Sequence, residues 1–210
     1  KHEGFYRDWL SMGAGDKPSM GNNLNFFFTY QIGHMYSRYF MWNFAGRQND
    51  FQGHGDEMRG NWISGYSFID DARLGNQEHA PFYTLENPAH NNFWMLPLIL
   101  GVIGVIFHFY RAPKDAFIVF LTFFFTGIAI VIYLNQKPFE PRERDYAYAA
   151  SFYAFAFWIG LSVLALYDAY KNFNKADWKN MMIGFGSLTG LLFIKYHEVG
   201  IVNRFPEPKI

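Results

Sequence analysis

Three long uncharged stretches in the second half of the chain constrain its fold more than any other feature. Phe93 to Tyr110 is 18 residues whose only strongly polar member is His108, Ala116 to Leu134 is 19 residues, and Tyr146 to Tyr167 is 22. A bilayer core about 30 Å thick is crossed by roughly 20 helical residues. Segments 93–110, 116–134 and 146–167 are therefore expected to span a membrane. A fourth, 181–196, is marginal: it has 16 residues, and Lys195 near its end must snorkel. The predicted class is all-α, a polytopic integral membrane helical bundle.

Whole-chain averages conceal this. Mean hydropathy is −0.09, and 18 Lys plus Arg cancel 18 Asp plus Glu. Residues 1–91 carry 7 basic and 10 acidic side chains, and residues 92–210 carry 11 and 8. The expected organisation is a non-cytoplasmic loop region over 1–91, with an interfacial helix at 24–44, followed by a transmembrane region over 92–210. The absence of cysteine excludes a disulfide scaffold, a thiolate zinc site and a cysteine nucleophile. Balanced charge excludes a nucleic-acid binder driven by phosphate neutralisation. The chain opens on Lys1 with no signal-peptide pattern after it, so the expectation is a portion of a longer polytopic protein.

Basic residues in short loops orient the spans. Arg111 and Lys114 fall on one side together with Lys171, Lys175 and Lys179, while Lys137, Arg142 and Arg144 fall on the other. Five against three places 1–91 and the loop 135–145 on the non-cytoplasmic face. Gly101 and Gly104, Ala156 and Gly160, and Gly186 and Gly190 are small residues that would let helices approach closely. Tyr83, Trp94, Tyr110, Tyr133, Tyr146, Tyr167 and Tyr170 lie near span ends, where amphipathic rings favour the headgroup region.

Aromatic residues make up 21% of the chain, and the remaining excess sits in Leu24 to Phe44. At 100° per residue, Gln31, His34 and Arg38 form one polar stripe on an otherwise aromatic and aliphatic helix. Burying that stripe in a span is costly, so a helix lying at the interface is expected. Two readings remain for the stripe: plain anchoring, or the lining of a substrate groove. Ala45 to Asn76 then brings Arg47, Asn49, Asp50, His54 and Trp62 within a glycine-rich stretch. Amides, carboxylates and rings of this kind suit a sugar site, and they equally suit an ordered loop that caps its own turns. His54, Asp56 and Glu57 have metal-ligand chemistry but no partner cluster at helical spacing, so no metal and no cofactor is expected. In Asn135 to Tyr148, NQKPFEPRERDYAY, prolines stop the helix and Arg142 and Arg144 follow. The planar guanidinium fork matches phosphate, which makes these two arginines candidate donor-phosphate ligands.

The segments GNNLNFFFTYQIGHMYSRYFMWNFAGRQND, QGHG, GNWISGYSFID, RLGNQ, LPLILGVIG and TGIAIVIYLNQKPFEPRERDYAYAASFYAFAFWIGL, taken in order, resemble a family of bacterial membrane proteins. That family was long catalogued as a domain of unknown function and is regarded as protein O-mannosyltransferase-like. The resemblance runs from Gly21 to Leu164; beyond about Asn172 the chain departs from it. It implies a GT-C fold in the inner membrane of a Gram-negative bacterium. The implied reaction takes a sugar, such as mannose, from a polyprenyl-phosphate carrier to Ser or Thr of a protein acceptor. The catalytic carboxylate of such enzymes lies upstream of the matching segments, so none is assigned here. The rival reading is a non-catalytic membrane subunit that docks a partner through the Trp- and Tyr-rich segment between Trp42 and Tyr66. A transporter fits less well, because no charged residue lies at mid-depth in the spans.

Overall fold

The computed structural model describes residues 2–13, 15–136, 138–139 and 144–174. By contacts, Lys1–Ser162 is one compact unit and Val163–Ile210 is another. Division therefore falls at 162/163, within the last helix, whereas the charge pattern divides at 91/92. Arg142 and the marginal span 181–196 lie outside the described residues.

The fold is mostly helical. After α1 (His2–Trp9), Ser19 starts the next helix with a reciprocal cap: its hydroxyl accepts from the Asn22 amide and its own amide donates to the Asn22 side chain. Three helical segments then run on without a break: α2 (Met20–Phe26), a π-helical segment (Phe27–Ser37) and α3 (Arg38–Phe44). The π register is visible where the Arg38 amide donates to the Gly33 carbonyl, five residues back.

Beyond it come β1 (Gly46–Arg47), α4 (Ser67–Leu74), α5 (Phe82–Leu85) and β2 (Asn91–Asn92). Gly46 and Arg47 pair antiparallel with Asn92 and Asn91, and Arg47 also bridges to Trp62, so three loop strands are tied together. Four apolar helices follow: α6 (Leu96–Arg111), α7 (Pro113–Thr126), α8 (Ile128–Leu134) and α9 (Ala149–Asn174). Taken together, Pro113–Leu134 is long and apolar enough to cross a membrane, and so is Tyr146–Lys171. The first expected span, 93–110, is shorter: α6 holds 16 residues, because Trp94 and Met95 adopt left-handed backbone and delay its start to Leu96.

The helix over 20–44 packs as a core element. Tyr30, Tyr36, Tyr39, Trp42 and Phe44 are all buried. Tyr36 meets Tyr148 edge-on at 5.4 Å, and its hydroxyl donates to Ser151 Oγ, which in turn donates to the Tyr148 carbonyl. Phe40 and Phe44 sit 4.8 and 4.7 Å from Phe155. This differs from a helix lying alone at an interface. The reason is local: Arg38 finds protein acceptors and ring faces, so its charge needs no open water.

Two of the small-residue pairs behave differently from each other. A Cβ on Gly104 would collide with the Trp158 carbonyl, and one on Gly101 with the Phe155 ring, so α6 and α9 touch through glycine. Gly160 has open space around it. Trp158 Nε1 donates to His108 Nδ1 at 3.2 Å, which gives the one polar residue of the 93–110 stretch an internal partner.

Candidate functional site

The polar stripe of the aromatic helix divides in the fold. A π turn holds more residues than the 3.6 assumed from sequence, so positions three apart drift around the axis. His34 and Arg38 face the 45–60 loop, while Gln31 faces the end of α8.

Arg38 is 3% exposed. Its Nε donates to the His34 carbonyl at 3.0 Å and Nη1 to the Gly60 carbonyl at 3.2 Å. Its guanidinium lies 4.7 Å from the Tyr39 ring centre and 5.1 Å from that of Trp42. Arg47 covers Trp42 at 4.5 Å. His34 donates through Nε2 to the Gly53 carbonyl at 3.2 Å, between the rings of Tyr30 and Trp9. Burial first, and then the Arg38 charge, hold its pKa down to about 3, so the imidazole is neutral.

The loop uses its amides on itself. Asn49 is fully buried; its Oδ1 accepts from Gly60 at 2.7 Å and Phe51 at 3.2 Å, and its Nδ2 donates to Met58 at 2.9 Å. Gly60 has φ +60°, and a Cβ there would strike the Phe51 carbonyl, so this turn requires glycine. Gln48 donates to the Glu57 carbonyl and to Gln77, and accepts from Asn61. Asp50 is exposed and accepts from Asn87 at 2.9 Å. His54 rests against Phe139 at 4.7 Å. Trp62 is covered by Arg73 at 3.8 Å; burial lowers the pKa of that arginine and Asp70 opposes the effect. Asp70 in turn accepts from the amides of Ser64 and Gly65. Of the eight groove candidates, His34, Arg38, Arg47, Asn49, Asp50, His54 and Trp62 thus belong to one hydrogen-bonded and ring-stacked region.

Gln31 belongs elsewhere. Its Nε2 donates to Asn135 Oδ1 at 2.7 Å, across 104 residues of sequence. Asn135 caps α8 in left-handed backbone, φ 40°, ψ 54°, a conformation Asn tolerates. That turn carries Asn135 and Gln136 to one side of a groove of about 440 Å³. Asn23 and Gln31 line the same groove, with the rings of Tyr6, Phe26 and Phe27. The Tyr6 hydroxyl donates to Asn23 Oδ1 at 2.7 Å. Gln136 is 7% exposed, and among the described residues its Nε2 has no hydrogen-bond partner. Asn23, Asn135 and Gln136 are additions that sequence reasoning missed. The only available signal was NQ standing between an apolar run and a proline, which reads as a plain helix stop.

Arg144 is exposed, eight residues beyond Gln136 and immediately before the turn into α9. Comparisons of the chain with protein-family models, with curated proteins and with solved structures return no match.

Proposed function

We propose that this chain is an integral membrane protein of the GT-C glycosyltransferase class, resident in a Gram-negative inner membrane. It takes part in transferring a sugar, such as mannose, from a polyprenyl-phosphate carrier to Ser or Thr of a protein on the extracytoplasmic face. The observation that carries the reading is the groove: two segments of the family resemblance, far apart in sequence, meet there at the Gln31–Asn135 hydrogen bond. Amides facing aromatic rings can grip hydroxyls and stack on the apolar face of a sugar. The same loop continues into Arg142 and Arg144, whose guanidinium groups would stabilise the departing phosphate. No catalytic base is assigned to this chain.

Membrane residence is supported by exposed apolar surface. Only 11% of the most apolar window in Pro113–Leu134 and 28% of that in Tyr146–Lys171 is buried by protein. Core helices of water-soluble folds bury most of such a face, so lipid is the natural cover.

The test is transfer from polyprenyl-phosphate mannose to a Ser/Thr peptide in membranes bearing the complete protein. Arg142→Ala and Arg144→Ala are each expected to lower the rate roughly 100-fold at normal expression. Unchanged rates in both variants would remove the phosphate role.

A second reading, a non-catalytic subunit that docks a partner, is favoured by Phe68, Phe82 and Tyr83, which are 75%, 69% and 53% exposed in the loop region. Peptide transfer that persists without this chain, but needs it for complex assembly, would favour that reading.

A further inference from the structure

The helix α4 has the reverse polarity of a helix that faces water. Its charged side chains are turned toward protein. Asp70 is buried and accepts from the Ser64 and Gly65 amides. Half-buried Asp71 accepts from the Gln77 amide, and half-buried Arg73 covers the Trp62 ring. The exposed positions of the helix are Ser67, Phe68 and Ala72, none of them charged, and Phe68 is 75% exposed. A surface helix in water carries its charges outward, so this face calls for a cover other than bulk solvent.

Ring contacts point to the cover. Phe68 meets Tyr66 at 5.9 Å, and Tyr66 meets Trp94 at 5.7 Å while its hydroxyl donates to the Trp94 carbonyl at 3.5 Å. Trp94, itself 43% exposed, stands two residues before α6, at the level where an apolar helix enters a bilayer. From there the exposed apolar surface continues along one face of α6 through Leu96, Ile99, Val102 and Ile106. The exposed Tyr83 ring belongs to a different patch and meets Phe51 instead. Rings with an apolar body and a polar tip suit the headgroup boundary. We propose that α4 is an interfacial helix: its uncharged face, headed by Phe68 and joined by Tyr66 and Trp94, rests in the boundary between headgroups and acyl chains of the leaflet that α6 enters. Because its inner side holds the Ser64–Gly65 turn, the contact pins the 45–76 loop to the lipid surface. The inference rests on the membrane reading and is independent of any transfer chemistry.

The experiment uses the full chain in phosphatidylcholine nanodiscs. The chain has no cysteine, so Phe68→Cys, Ala72→Cys and Ile106→Cys each carry one thiol for a fluorescent label. Position 106 lies about 15 Å along α6 from Leu96, near the middle of a ~30 Å core. Labels at 68 and 72 are expected to be quenched more strongly by lipid spin-labelled near the glycerol backbone than by lipid spin-labelled at the chain end, and only weakly by iodide. The label at 106 should show the opposite lipid order. With the label at 72, Phe68→Asp should raise iodide quenching roughly two-fold or more, because a charge lifts the face out of the boundary. Iodide quenching at 68 and 72 equal to that of free dye, with 106 still quenched by lipid, overturns this proposal alone. Shielding of 68 and 72 from both lipid and iodide also overturns it, since a partner protein or a second copy would then be the cover. A label at 106 that lipid does not quench overturns the membrane reading and this proposal together.

Discussion

The loop over 45–76 and the groove beside Asn135 hold the same kinds of side chain and use them in opposite ways. In the loop, Asn49 saturates its amide on Gly60, Phe51 and Met58, and Gln48 and Asp70 are equally occupied. In the groove, Gln136 is buried and its Nε2 has no hydrogen-bond partner among the described residues. Sugar-like composition therefore separates into two roles. Closed amides hold a loop backbone in shape, whereas the Gln31–Asn135 pair joins two segments far apart in sequence.

The sharpest challenge to the scaffold beneath both regions is Gly104→Leu. A Cβ there overlaps the Trp158 carbonyl, so α6 and α9 must separate. We expect a loss of roughly 3 kcal/mol or more in thermal unfolding, since overpacking against backbone relaxes poorly. A stable variant would show that the α6–α9 contact does not support the fold.

Next in size is Asn49→Ala, expected to lower stability by about 2–3 kcal/mol because it strands the amide of Gly60 and its neighbours. Where the variant remains folded, glycoside binding should stay at the wild-type level. Lost binding in a folded Asn49→Ala chain would return the site to the loop.

His34 gives a pH test of the closed region. Its folded pKa, about 3, lies below the usual 6.5, so between these values the unfolded chain binds the extra proton. Stability from this group is fully present above pH 6.5 and is lost as pH falls toward 3. The loss should reach ~2 kcal/mol between pH 7 and pH 5. His34→Gln, which keeps a donor for the Gly53 carbonyl, should flatten this part of the acid limb in pH-dependent melting. An unchanged slope would mean that His34 is not buried in its neutral form.

The smallest effect concerns the exposed rings. Phe82→Ser should change stability by no more than ~0.5 kcal/mol and leave glycoside binding intact. Impaired complex assembly in cells, measured by native electrophoresis of the membrane extract, would promote the docking reading.

Much of the helical framework was legible because apolar runs report directly on helix length. Residues 113–134 and 149–174 fall close to where uncharged sequence places them, and the aromatic helix begins four residues before Leu24, at the Ser19 cap. The π-helical stretch was not legible. FFTYQIGHMYS carries Gly33 and several weak helix formers, but nothing in it distinguishes π from α winding, and that winding sends Gln31 away from His34. Nor could composition separate the two roles of amides, since pairing depends on contacts such as Gln31 with Asn135 that no local pattern encodes. Gln136 reads in the sequence as an ordinary helix-ending polar residue, and its burial is a property of the fold alone.

The most direct measurement is an experimental structure of the chain in nanodiscs soaked with a neutral methyl glycoside. Ligand density is expected in the groove beside Gln31 and Asn135, against the rings of Tyr6, Phe26 and Phe27. Density seated instead against Trp62 and the 45–60 loop, with the Gln136 groove empty, would contradict it.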